Sequence, residues 1–209
     1  MWIIAGINAA LFISACCGAD MSDLYLGAGI ESLRARPWSP FTYMFAQTHA
    51  AHFSLNIISF IIVGAWFENR LGGLRLAATY LTGGLAGAMA FEAIALIAGT
   101  PDATLGGSSA AVLAVYAGIV ALYGRRLGNI SLGFIGRWSA GLPLCIVLVS
   151  SVFELWGDNP GGNLAHIAGI LSGWGMGRYL SREATPRNDD SGNIIDKFER
   201  SGYSSLTAD

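Results

Sequence analysis

Six stretches of the chain run almost without charge: Trp2 to Cys17, Phe41 to Phe67, Leu76 to Ala98, Gly106 to Tyr123, Ala140 to Trp156, and Leu164 to Tyr179. A helix that crosses a bilayer needs about 20 apolar residues, and each stretch approaches that length. The pattern predicts an all-α polytopic membrane protein with six spans. Between the first two spans lies a polar, partly amphipathic connection, Gly18 to Pro40, long enough to carry structure of its own. The other links are short. After Tyr179 the residues turn charged and polar, which divides the chain into a membrane domain, 1–180, and a flexible soluble tail, 181–209. Within that tail Ile194 to Arg200 suits a short helix, stopped at Ser201-Gly202.

Composition strengthens this reading. The chain is 53% hydrophobic and only 12% charged, with a mean hydropathy of +0.51, too apolar for a soluble domain of 209 residues. Its net charge of -2 gives no reason to expect nucleic acid as a partner. Cys16, Cys17 and Cys145 sit in or at the edge of apolar segments, with neither metal-ligand spacing nor a disulfide framework. No metal or other cofactor is implied. Ile13-Ser14-Ala15-Cys16 has the look of a lipoprotein cleavage box, but no Lys or Arg precedes it, as a signal peptide would require. The first stretch is therefore expected to be a membrane helix.

Basic residues set the orientation. Arg70 and Arg75 flank the second link, Arg125, Arg126 and Arg137 the fourth, and Arg178, Arg182, Arg187, Lys197 and Arg200 follow the last span. The third and fifth links carry none, and only Arg34 and Arg36 in the first link run the other way. Even-numbered links and both termini are thus expected in the cytoplasm, with the protein multi-pass in the cell membrane. Spans 2, 4 and 6 then all run from outside to inside.

That orientation gathers the polar groups. His52 and Asn56 fall in the outer half of span 2, four residues apart and so on one helical face. Gly106-Gly107-Ser108-Ser109 makes a glycine-led turn that opens span 4, and His166 lies in about the first turn of span 6. A serine at a helix start is also an ordinary N-cap. Here, however, it shares its depth with ionisable groups that are costly in a membrane and point to function. His166 can serve as a base for the serine, and His52, Asn56 and the Ser108 N–H can donate to an oxyanion. Gly169, Gly173 and Gly177 repeat every four residues along span 6, and Ala110 and Ala114 give span 4 a small face. Small faces let helices approach closely, as a Ser–His pair on spans 4 and 6 would require.

These motifs resemble the rhomboid family of intramembrane serine proteases. The resemblance rests on Phe41 to Phe45, on His52-x-x-x-Asn56, on Glu68-Asn69-Arg70-Leu71-Gly72, on Gly-x-Ser at Gly106, Gly107 and Ser108, and on Ala165-His166-Ile167-Ala168-Gly169 with Gly173 and Gly177. It runs in order over about residues 2 to 180. It implies a six-helix rhomboid-like bundle and a catalytic Ser108–His166 dyad. The oxyanion hole it implies is formed by His52, Asn56 and the Ser108 backbone. Gly18 to Pro40 would be the family's half-submerged first loop, with Trp38 near its tryptophan, and span 5 with the link after it would be the lateral gate.

The sequence departs from the family at several points. Ser109 replaces the glycine that usually follows the nucleophile and is itself an alternative nucleophile; Ala110 following the motif favours Ser108. Val112 stands where many members place an aromatic ring against the catalytic histidine, leaving Tyr116 as a substitute. Gln47 stands where many carry a histidine, Ser39 follows Trp38 in place of an arginine, and His49 is read as incidental. Glu92 and Glu154 are read as interhelical hydrogen-bond or end positions, and neither supplies a third acidic member for His166. The expected activity is peptide-bond hydrolysis in or beside transmembrane segments of other membrane proteins. Its partners are those substrates and the lipids around them. The alternatives are a catalytically inactive relative that binds membrane clients, and a transporter or channel. Against the last, no internal repeat is apparent and the polar groups cluster on one side. The sequence leaves the oligomeric state open.

Overall fold

The computed structural model describes residues 1–47, 49–123, 144–152, 155 and 159–183. Its helices are α1 (Trp2–Cys16), α2 (Ile30–Ala35), α3 (Ser39–Thr42), α4 (Ala50–Leu71), α5 (Gly73–Ala98), α6 (Ser109–Tyr123), α7 (residues 144–152) and α8 (Pro160–Glu183). Two of them, α4 and α5, are long and apolar enough to cross a membrane; α1 and α6 are apolar but shorter. On α4 the side chains divide. Leu55, Ile58, Ile62 and Trp66 are exposed, while Asn56, Phe60, Val63 and Phe67 point inward. Exposed large apolar residues also mark α1 (Trp2, Ile3), α5 (Met89, Leu96, Ile97) and α8 (Leu171, Trp174). An outer surface this apolar suits lipid and not water.

Helix α6 is the exception, buried nearly all round by Ala110, Ala111, Val112, Ala114, Val115, Ala117 and Ile119. A helix apolar on every side belongs at the centre of a bundle, and its small residues allow that. A Cβ added to Gly169, Gly173 or Gly177 of α8 would overlap the backbone of Ala110, Ala114 or Gly118 in turn. On the other side Gly83 and Gly87 of α5 meet Ala114 and Ala110. The four-residue glycine repeat therefore does what its spacing predicts: it seats α8 directly along α6, from Ala110 to Gly118.

The connection from Gly18 to Pro40 is structured, as expected. It holds a 3-10 turn (Ser22–Leu24), strand β1 (Leu26–Gly27) and helix α2. Strand β1 pairs antiparallel with β2 (Thr104–Leu105), Leu26 opposite Leu105 and Gly27 opposite Thr104. The first connection is thereby stitched to the segment that leads into α6. Glu92 contributes to this seam, its Oε2 accepting from the Gly29 N–H at 2.9 Å. The partner is backbone of the first connection, where an interhelical bond or an end position was expected.

Three expected boundaries differ. The stretch from Phe41 to Phe67 is not one helix: α3 and a 3-10 turn (Tyr43–Phe45) precede a break, and α4 starts only at Ala50. Buried tyrosines brace this region: Tyr80 satisfies a carbonyl at the break, and Tyr43 ties the segment to α5. The Tyr80 hydroxyl donates to the Met44 carbonyl at 3.1 Å, and the Tyr43 hydroxyl donates to the Gly84 carbonyl at 2.6 Å. Apolar residues on either side of Gln47 and His49 make the stretch scan as one run and so conceal the break. Helix α8 starts at Pro160 and not near Leu164. Asn159 caps it, Oδ1 accepting from the Gly162 N–H at 2.9 Å, and proline suits the first helical position. His166 consequently lies in the second turn of α8 and not the first. At its other end α8 continues to Glu183, so the first residues of the expected tail are helical. Residues 184–209, Arg125, Arg126, Arg137 and Glu154 lie outside the described residues.

Candidate active site

The turn into α6 is fixed from several sides. Beyond β2, the Gly107 N–H donates to the Tyr43 carbonyl at 3.0 Å. Gly107 has φ +116°, a region in which a side chain is strained, and a Cβ there would lie 2.6 Å from Cε1 of His52. The glycine thus allows both the turn and the close approach of the His52 ring. The Ser108 carbonyl accepts the Val112 N–H at 2.9 Å, so Ser108 is the residue before the helix and Ser109 its first member. The first N–H groups of α6 have no partner within the helix and carry the positive end of its dipole.

The two serines go separate ways, and here the expected pairing is corrected. Ser109, not Ser108, faces the histidine: Ser109 Oγ lies 2.8 Å from His166 Nε2. Ser108 is buried to 3% exposure, and its Oγ accepts from Gln47 Nε2 at 3.1 Å. Neighbouring residues at a helix start project about 100° apart, so only one of the pair can face α8. Ser109 is also the less buried of the two. With this register Gly-x-Ser is Gly107-Ser108-Ser109, the residue after it is Ala110, and the position four further on is Leu113 instead of Val112.

Behind the serines runs a buried polar network centred on Gln47. Its Oε1 accepts from Asn56 Nδ2 at 2.8 Å, and its Nε2 donates to Asn8 Oδ1 and to Ser108 Oγ, both at 3.1 Å. Asn8 donates in turn to the Ile4 carbonyl at 2.9 Å and to the Tyr80 hydroxyl at 3.4 Å. Gln47 therefore spends both amide hydrogens and its oxygen inside the protein. It holds Asn56, which keeps a second amide hydrogen, on the same face of α4 as His52. His49 is exposed.

Two members of the site escape a reading of the sequence. Asn8 is a lone amide in an apolar helix, and its cost in a membrane is the signal that could have found it. Ser151 lies with its Oγ 3.3 Å from His166 Nδ1. It extends the inner stripe of α7 formed by Leu144 and Leu148, at positions i, i+4 and i+7. His166 thus has a hydroxyl at each ring nitrogen. Tyr116 packs with Leu144, Leu148 and Ile170 on the inner side of α7. Among the described residues, no three His, Cys, Asp or Glu side chains group where they could hold a metal ion.

A hydroxyl against an imidazole at a helix N-terminus, with a second histidine against the preceding glycine, is an arrangement suited to nucleophilic attack on a carbonyl. No curated protein matches the chain. A model of the rhomboid domain matches residues 34–183, which takes in every helix from α4 to α8 and all of the serine–histidine site. The chain belongs to the rhomboid family, whose members are membrane proteins and in general intramembrane serine proteases.

Proposed function

We propose that the protein is an intramembrane serine endopeptidase, with Ser109 as nucleophile and His166 as general base. The observation that carries this reading is the 2.8 Å separation of Ser109 Oγ and His166 Nε2. Ser109 Oγ attacks the carbonyl carbon of a substrate peptide bond while its proton passes to Nε2. The oxyanion meets the N–H of Ser109 at the start of α6, with His52 and Asn56 alongside. Collapse breaks the C–N bond, and the leaving amine takes the proton from Nε2. Water, losing its own proton to the same nitrogen, then releases the acyl group and restores the serine. No cofactor enters the cycle.

The substrates proposed are transmembrane segments of other membrane proteins. A bound segment must leave helical form at the bond to be cut, so small or helix-breaking residues there favour cleavage. Six spans with both termini in the cytoplasm remain the topology proposed, with α6 and α8 running inward from a site near the outer surface.

Cleavage in reconstituted vesicles tests the reading. The full-length protein is incorporated with a single-span substrate that carries a Gly-Pro pair in its outer half. Wild type should cut the substrate near that pair, and Ser109→Ala and His166→Ala should each lose at least about a thousandfold in rate. Intact substrate with wild type, across several such sequences, would instead favour a relative that binds membrane clients without cutting them.

A further inference from the structure

A general base must present an unprotonated nitrogen to its nucleophile. For neutral His166 to accept from Ser109 at Nε2, its single ring proton must sit on Nδ1. A proton held there inside an apolar bundle needs an acceptor. The atom at that place is Ser151 Oγ, 3.3 Å away, and Ser151 is only 2% exposed. Its surroundings say that the hydroxyl is not incidental. Leu144 and Leu148 share its face of α7 and pack inward, whereas Ile146, Val149 and Val152 point outward and are exposed. Where the inward stripe reaches the level of His166, leucine gives way to serine. A helical serine can pass its own proton to a carbonyl one turn back, which leaves its lone pairs free to accept.

We propose that Ser151 is a positioning residue of this site: its hydroxyl accepts the Nδ1 proton of His166 and so fixes the tautomer and ring plane that leave Nε2 open to Ser109. This rests on the protease reading above. When His166 takes the serine proton, both ring nitrogens become donors, and Ser151 keeps its bond throughout. Because the partner is a hydroxyl and not a carboxylate, it orients the ring without adding charge to the interior. Helix α7 thereby contributes directly to the chemistry carried by α6 and α8.

The test uses the full-length protein in detergent or nanodiscs, with Ser151→Ala, Ser151→Cys and Ser151→Thr. Ser150→Ala serves as a control, since Ser150 is exposed and, among the described residues, bonds its own helix at the Val147 carbonyl. Ser151→Ala should lower kcat and the rate of fluorophosphonate labelling by about tenfold with KM little changed. Ser151→Thr should recover most of that rate, and Ser150→Ala should match wild type. Nitrogen-15 histidine spectra should show His166 in wild type protonated on Nδ1, and a mixture of tautomers in Ser151→Ala. Should Ser151→Ala fail to fold, Ser151→Cys, a weak acceptor of similar size, carries the same comparison. Wild-type labelling by Ser151→Ala, or a wild-type His166 protonated on Nε2, overturns the proposal. If wild type itself neither labels nor cleaves, the protease reading falls, and the tautomer comparison alone decides whether Ser151 orients the ring.

Discussion

At the scale of residues, one shift of register separates Ser108 from Ser109. Gly106-Gly107-Ser108-Ser109 contains two overlapping Gly-x-Ser frames, and both keep a glycine two residues before a serine. On sequence Ala110 favoured Ser108 as the partner of His166, with Ser109 the alternative, and it is Ser109 that meets the histidine. The choice is made by where α6 begins and by Gln47, which holds Ser108 out of reach. Gln47 also supports the most testable claim at this scale. Its replacement by alanine leaves Asn8, Asn56 and Ser108 short of buried partners. Stability in a detergent melt should fall by about 2 kcal/mol or more, and cleavage should weaken as Asn56 loses its orientation. An unchanged melt would mean that water or a neighbour replaces the glutamine without cost. Gly107→Ala should be harmful for a different reason. It forces a side chain into positive φ and against the His52 ring, so activity should drop even where the protein still folds.

At the scale of elements, the glycine repeat of α8 was the clearest message in the sequence. Spacing alone gives the face, and the face alone gives the partner. Gly173 lies against the Ala114 carbonyl, so Gly173→Val should push α6 and α8 apart and destabilise by roughly 3 kcal/mol or more. Gly175 has nothing near its missing Cβ, and Gly175→Ala should be neutral or slightly stabilising. In thermal melts of the two variants, two residues apart on one helix, Gly173→Val should fall well below wild type while Gly175→Ala holds or rises; similar losses would contradict this packing. The break before α4 was not legible, because apolar residues flank Gln47 and His49 on both sides and the stretch scans as one span. Nor was the role of α7, since a serine among leucines gains meaning only when its neighbour at His166 is known.

At the scale of the whole molecule, the fold turns the usual arrangement around. Its exterior presents Leu, Ile, Trp and Met, while its centre holds small residues and a network of amides and hydroxyls. Apolar composition made the membrane class legible, and ordered motifs made the family legible. The depth shared by His52, Ser109 and His166 follows from three helices that run the same way. That topology predicts a fluorescent reporter fused after Asp209 to be active and an alkaline phosphatase fused there to be silent. The opposite pattern would place the site on the cytoplasmic side.

The most direct measurement on the central claim is to treat the purified full-length protein with a fluorophosphonate and locate the adduct by mass spectrometry. Phosphonylation of Ser109 is expected, lost in Ser109→Ala and in His166→Ala but retained in Ser108→Ala. An adduct on Ser108 that survives Ser109→Ala would contradict it.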